Sequence, residues 1–225
     1  MTQDTFFKTM LTMQDDINQR INQDWKSLNH AWYRAIWIEC AELMDHYGWK
    51  WWKKQTPDNE QIQLELVDIW HFGLSDCLQR SSEQKTMSNS EHTETISELN
   101  DAINKPYEYP NLLTGIEDFT ERTLKDRRFS AKHFFGLTKL AKLDLETLYR
   151  LYISKNVLNF FRQDHGYQSG SYQKIWSGKE DNVHLSEIVS EGQHKVAAHK
   201  WREHLYAQLK ARYETPDQKQ FTESP

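Results

Sequence analysis

Two acid pairs carry the strongest chemical signal in the chain. In Ile36-Trp37-Ile38-Glu39-Cys40-Ala41-Glu42-Leu43-Met44 and in Leu64-Glu65-Leu66-Val67-Asp68-Ile69-Trp70, carboxylates recur at i and i+3. That spacing puts both acids of a pair on one face of a helical turn. A single E-x-x-E is most often a solvated acidic face, because charged side chains stay at the surface. Here both pairs sit in the two most apolar helical segments. Burying an unpaired carboxylate costs several kcal/mol, against a domain stability of roughly 5 to 15 kcal/mol. Four acids facing one another must therefore take up protons or enclose cations. Hard oxygen ligands at helical spacing favour Mg²⁺ or Mn²⁺. Two such ions offset four carboxylates and leave coordination positions for phosphate oxygens, as two-metal phosphate chemistry requires.

A second group suits anions. Lys155, Asn159 and Arg162 fall at i, i+4 and i+7, so two cations and an amide share one stripe. The segment Gln163 to Lys174 follows, with Gly166 and Gly170 permitting close backbone approach and Tyr172 and Lys174 adding donors. The plain alternative is a solvated basic helix end favoured by the helix dipole. His71 lies three residues after Asp68, where a packed core histidine is the commoner outcome. Asp68-x-x-His71 also has the form of half a di-iron site, with Glu191-x-x-His194 as the other half, weakened by the Gly192 inside it. Gln14 and Asn18, at i and i+4, have the donors and acceptors to read a base edge, although on a surface helix they would simply be exposed. Trp49, Trp51 and Trp52 form a stacking wall, an interface patch or a lid, with core packing the default for indole rings.

The elements that must position these groups are helical. Phe6, Met10, Met13 and Ile17 recur at spacings of three and four, which predicts an amphipathic helix over the first 20 or so residues. Further helices are expected over 29–46 with a stop at Gly48, over 60–78, 94–104, 115–127, 131–141 with Ser130 as N-cap, 145–162, and 183–213 with a break at Gly192. Thr56-Pro57-Asp58 favours a helix start after the Trp49–Asn59 loop. Residues 79–94, rich in Ser, Thr, Gln and Glu, read as a flexible insertion, 164–181 as a loop, and 214–225 as a polar tail. No strand alternation and no repeat appear. The expectation is one all-α domain over residues 1–225, a multi-helix bundle.

Composition narrows the function. The 225 residues carry 33 acids against 28 Lys and Arg, a formal charge of −5, which argues against broad electrostatic capture of nucleic acid or anionic membrane. An anionic substrate must then be met by local cations. Nine Trp, ten Tyr and ten Phe against eight Gly and five Pro suit bulky helical contacts rather than a turn-rich β fold. Cys40 and Cys77 have no metal-type spacing, no segment approaches the roughly 18 uncharged residues of a span, and the N-terminus lacks an apolar signal core. A cytoplasmic protein is expected.

Several blocks together resemble the dimeric, all-α dUTPases (dUTP diphosphatases), within the wider all-α nucleotide pyrophosphohydrolases. They are Glu39-Cys40-Ala41-Glu42-Leu43-Met44-Asp45, Trp49-Lys50-Trp51-Trp52-Lys53, Glu65-Leu66-Val67-Asp68-Ile69-Trp70-His71-Phe72-Gly73-Leu74-Ser75, and Lys155-Asn156-Val157-Leu158-Asn159-Phe160-Phe161-Arg162-Gln163. Gly166-Tyr167, Gly170, Tyr172, Lys174 and Glu180-Asp181-Asn182 continue the likeness, which runs from about Met13 to Glu187. The paired acids alone indicate only the wider group, and the Lys-Asn-x-Leu-Asn block is the more specific.

The resemblance implies a four-helix metal-binding core in which Glu39, Glu42, Glu65 and Asp68 are the catalytic metal ligands for two or more Mg²⁺ ions, with Mn²⁺ as a substitute. Glu39 is the first choice for activating the attacking water. Lys155, Asn159, Arg162, Tyr167 and Lys174 would contact phosphate and sugar, and Phe72 would stack on the deoxyribose. Gln14, Asn18, Trp49, His71 and Asn182 would form the uracil pocket, with Trp51 or Trp52 able to replace Trp49. The implied reaction is Mg²⁺-dependent conversion of dUTP to dUMP and pyrophosphate, with dUDP as a further substrate, in a homodimer. The competing readings are a dCTP or broader nucleoside triphosphate pyrophosphohydrolase, a di-iron carboxylate protein, and a helical binding module without catalysis.

Overall fold

The computed structural model describes residues 2–83, 92–192, 196 and 200–214. They divide into two compact units, 1–152 and 153–225.

Among its described residues, the regular elements of the first unit are all helical. Helix α1 (Gln3–Ile21) begins where the Thr2 hydroxyl accepts from the Thr5 amide, and it buries Phe7, Met10, Leu11, Met13 and Ile17. Two polar residues, Gln14 and Asn18, are buried with that stripe. Asp15 anchors the following 3-10 turn (Trp25–Leu28), accepting from Trp25 Nε1 at 3.0 Å and Lys26 Nζ at 2.6 Å. Helix α2 (Trp32–Tyr47) stops at Gly48, whose φ of 84° supplies the left-handed cap expected there. Helix α3 (Asn59–Glu83) starts as Thr56-Pro57-Asp58 predicts, with the Gln61 amide on Asp58 Oδ1 at 3.2 Å.

It continues five residues past Leu78, into the segment expected to be a flexible insertion; α4 (Thr93–Asn104) begins just before that segment ends, and 84–91 lie outside the described residues. Helix α5 (Leu112–Asp126) starts three residues before Gly115, because Asn111 Oδ1 accepts from the Thr114 amide at 3.0 Å. Helix α6 (Ala131–Leu140) follows Ser130 as expected, but the Ser130 hydroxyl does not cap a backbone amide; it meets His133 Nδ1 at 2.7 Å. Helix α7 (Leu145–Asp164) contains the boundary between the units.

Within the first unit α2 packs on α3 and α5, α1 on α3 and α4, and α6 on α4 and α5. Fully buried Trp70 organises the core: its ring stacks on Phe134 at 5.1 Å and meets Phe129 and Phe135 at 6.0 and 5.4 Å. Gly73 explains itself here. A Cβ at that position would lie 2.7 Å from the Phe129 ring, so α3 accepts no side chain there without displacing a buried aromatic.

In the second unit, the stretch expected to be a loop contains a small antiparallel hairpin, β1 (Ile175–Trp176) paired with β2 (Lys179–Glu180). Its two-residue turn, Ser177 and Gly178, has φ of 47° and 71°, the positive pair that a tight hairpin of this kind requires. Sequence alternation cannot reveal strands two residues long. Helices α8 (Asp181–Gly192) and α9 (Trp201–Glu214) pack together, and α8 ends at Gly192, where the helix expected over 183–213 was to break. Residues 215–225, and His194 of the proposed Glu191-x-x-His194, lie outside the described residues.

Candidate active site

Helices α2 and α3 bring the acid pairs together. Carboxylate oxygens of Glu39, Glu42 and Glu65 lie within 4.8 Å of one another. Asp68 joins them electrostatically. Burial, followed by the charges of Asp68, Glu65 and Glu42, pushes the Glu39 carboxyl up to about 8 from its ordinary 4.5. Glu65 is buried, Glu39 and Asp68 half-buried, and Glu42 exposed, so the cluster opens to solvent at Glu42 and is not sealed inside the bundle. Open access is what a site exchanging substrate needs.

Burial and the crowding of these carboxylates keep a proton on Glu39 at neutral pH. As a donor set of hard oxygens they fit divalent ions, which would replace that proton. His46, one helical turn beyond Glu42 on α2, places Nε2 3.4 Å from Glu65 Oε1. Sequence reasoning missed it, although Glu39, Glu42 and His46 at i, i+3 and i+7 trace one stripe.

Three residues assigned to the base converge in the first unit. Gln14 bonds Asn18 at 3.1 Å and His71 Nδ1 at 2.9 Å, and all three are buried rather than exposed. Ser75 and Tyr152, unassigned from the sequence, complete the cluster. Asp68 acts on Glu39 through its charge, whereas His71 Nδ1 turns to Gln14 and its ring stacks on Tyr152 at 4.3 Å. Phe72 is half-buried and stacks on Trp32 at 6.3 Å. The indole cluster departs from the core-packing default: Trp49, Trp51 and Trp52 are 41%, 89% and 57% exposed and meet edge to face at 5.2 and 5.4 Å.

The second unit gathers the cationic stripe. Lys155 Nζ donates to Asn182 Oδ1 at 3.2 Å, and Arg162 donates to Asn159 Oδ1 at 3.2 Å and lies over the Tyr167 ring. Asn182, assigned to the base, is thus tied to a phosphate candidate. Asp181 is the residue whose role the sequence concealed. Fully buried, it takes two bonds from Arg162, at 2.8 and 2.9 Å, and one from the Tyr172 hydroxyl at 2.9 Å. Burial alone would raise its carboxyl, but the guanidinium and the phenol hold it below the ordinary 3.8. Lys174 is exposed and pairs with Glu180 at 3.4 Å.

Residues 6–167 match the family model described as dUTPase. The chain belongs to the dUTPase family. Membership makes it an enzyme, a dUTP diphosphatase of the all-α kind, and agrees with the resemblance carried by the acid and Lys-Asn-x-Leu-Asn blocks. The match ends at Tyr167, so Lys174 and Asn182 lie beyond it. Among curated proteins no relative matches the chain. No helix among the described residues is long and apolar enough to cross a membrane.

Proposed function

We propose that the chain hydrolyses dUTP to dUMP and pyrophosphate with Mg²⁺, or Mn²⁺ in its place, and that dUDP is a second substrate. Glu39, Glu42, Glu65 and Asp68 hold two or more ions. When bound, such ions supply positive charge to the triphosphate and lower the pKa of water. Glu39 takes the proton of the attacking water. Lys155, Asn159, Arg162, Tyr167 and Lys174 orient phosphate and sugar, with Phe72 against the deoxyribose, and Gln14, Asn18, Trp49, His71 and Asn182 receive uracil. Preorganised cations of this kind favour charge developing on the leaving phosphates.

The observation that supports this most is the approach of Glu39, Glu42 and Glu65 to within 4.8 Å in a chain of this family. A homodimer is part of the proposal, and exposed Trp37 and Ile38 on α2 are apolar surface that a second copy would cover. The buried thiols of Cys40 and Cys77 suit a reducing cytoplasm. A panel of dUTP, dUDP, dCTP, dTTP and UTP, compared by kcat/KM with and without Mg²⁺, tests the assignment. Selective, Mg²⁺-dependent turnover of dUTP and dUDP is expected. Equal rates on dUTP and dTTP would instead make the chain a broad nucleotide pyrophosphohydrolase.

A further inference from the structure

The buried cluster of Gln14, Asn18, His71, Ser75 and Tyr152 permits a count of donors and acceptors. Ser75 Oγ has one proton, directed at the His71 carbonyl 3.1 Å away. Its oxygen then accepts, and two amides reach it: Gln14 Nε2 at 3.0 Å and Asn18 Nδ2 at 2.9 Å. Both amides must turn their NH₂ groups toward Ser75. Gln14 Oε1 consequently faces His71 Nδ1 at 2.9 Å, which donates to it, and the Tyr152 hydroxyl at 3.0 Å, whose single proton is divided between Gln14 Oε1 and the Met10 carbonyl at 2.9 Å. The other Gln14 Nε2 hydrogen falls on Asn18 Oδ1 at 3.1 Å.

The reverse polarity fares worse. One Ser75 proton would face three carbonyl oxygens, those of His71, Gln14 and Asn18, and two contacts would oppose lone pairs among buried groups, against the one contested proton at Tyr152. Tyr152 is rigid in this role: it is wholly buried, its hydroxyl also reaches the Met10 carbonyl at 2.9 Å, and its ring stacks on His71.

We propose that Ser75 and Tyr152 are positioning residues that fix the hydrogen-bond polarity of the base pocket, and thereby its preference for uracil over cytosine, by locking the Gln14 amide and holding His71 in its Nδ1–H tautomer. This rests on the assignment of Gln14, Asn18 and His71 to the base. Uracil presents a carbonyl acceptor where cytosine presents an amino donor, and N3 changes from donor to acceptor between them. Turning an amide by 180° makes the matching exchange on the protein side. Because the Gln14 amide is spent inside the cluster, it is the Asn18 amide, oriented by Gln14 and Ser75, that presents a fixed polarity to the base; a cluster that can turn over admits both bases, and one that cannot rejects cytosine.

The test compares kcat/KM on dUTP and dCTP for wild type, Ser75→Ala, Tyr152→Phe and, as a control on the pocket itself, Asn18→Ala. Thermal unfolding checks folding, and ¹⁵N NMR of the neutral imidazole reports the His71 tautomer. Ser75→Ala and Tyr152→Phe are expected to lower the dUTP-to-dCTP ratio by about tenfold, chiefly through KM for dUTP. The His71 signals are expected to pass from the Nδ1–H form in wild type to a mixture in the variants. Equal losses on both nucleotides, an unchanged ratio, or an Nε2–H wild type would overturn the proposal. If one variant fails to fold, the other decides. Should Asn18→Ala leave the uracil preference intact, the base assignment fails and the locking role with it. A fall in Asn18→Ala without one in the other two defeats the locking role alone.

Discussion

Glu39, proposed to take the proton of the attacking water, has its proton affinity set by burial and by its neighbours. With its carboxyl raised to about 8, the metal-free protein keeps a proton there that the unfolded chain releases near 4.5. Stability of the metal-free form should be fully present below the unfolded value and fall as pH rises through about 8. Unfolding in EDTA across this range checks it, and Glu39→Gln should flatten the dependence. At the proposed metal site a divalent ion would displace that proton, so calorimetry in two buffers near pH 7 should detect release of about one proton as Mg²⁺ binds. In turnover, Glu39→Gln or Glu65→Gln should lower kcat by about a hundred- to a thousandfold with the fold kept, which circular dichroism would verify. The i, i+3 spacing made these four acids readable from the sequence, because helical periodicity translates spacing into a shared face. Ser75 and Tyr152 were unreadable for the opposite reason: they meet Gln14 across helices, and no spacing encodes that, whereas His46 lies on the Glu39–Glu42 stripe and was legible there.

Helices announced themselves where caps and stripes agree. Gly48 ended α2 and Asp58 opened α3 as Gly and Pro-Asp chemistry dictates, whereas Asn111 moved the start of α5 because a lone Asn is ambiguous before it is seen to cap. Two-residue strands and the Arg162–Asp181 clamp depend on contacts across a turn, which periodicity does not register. That clamp makes α7 and the start of α8 one electrostatic unit. Asp181→Asn leaves the half-buried Arg162 guanidinium without its charge partner, and should destabilise the chain by about 3 kcal/mol in denaturant unfolding. Because its carboxyl lies below the ordinary value, the stabilisation it gives is present above about pH 4 and is lost as pH falls through the lowered value. Gly73→Ala on α3 should be destabilising as well, since its Cβ meets the Phe129 ring.

For the molecule as a whole, the all-α class followed from helical stripes and scarce glycine, and the structure bears it out apart from the small hairpin. Division into two compact units was not legible, because its boundary falls inside α7, where the sequence shows no break. A helix shared by both units should make them unfold together, so one calorimetric transition over residues 1–225 is expected. Light scattering should return twice the chain mass for the proposed homodimer. The decisive measurement is product analysis after incubation with dUTP, with Mg²⁺ and with EDTA. Formation of dUMP and pyrophosphate in equal amounts only when Mg²⁺ is present is the predicted result; undiminished turnover in EDTA, or tight dUTP binding with no products in Mg²⁺, would contradict it.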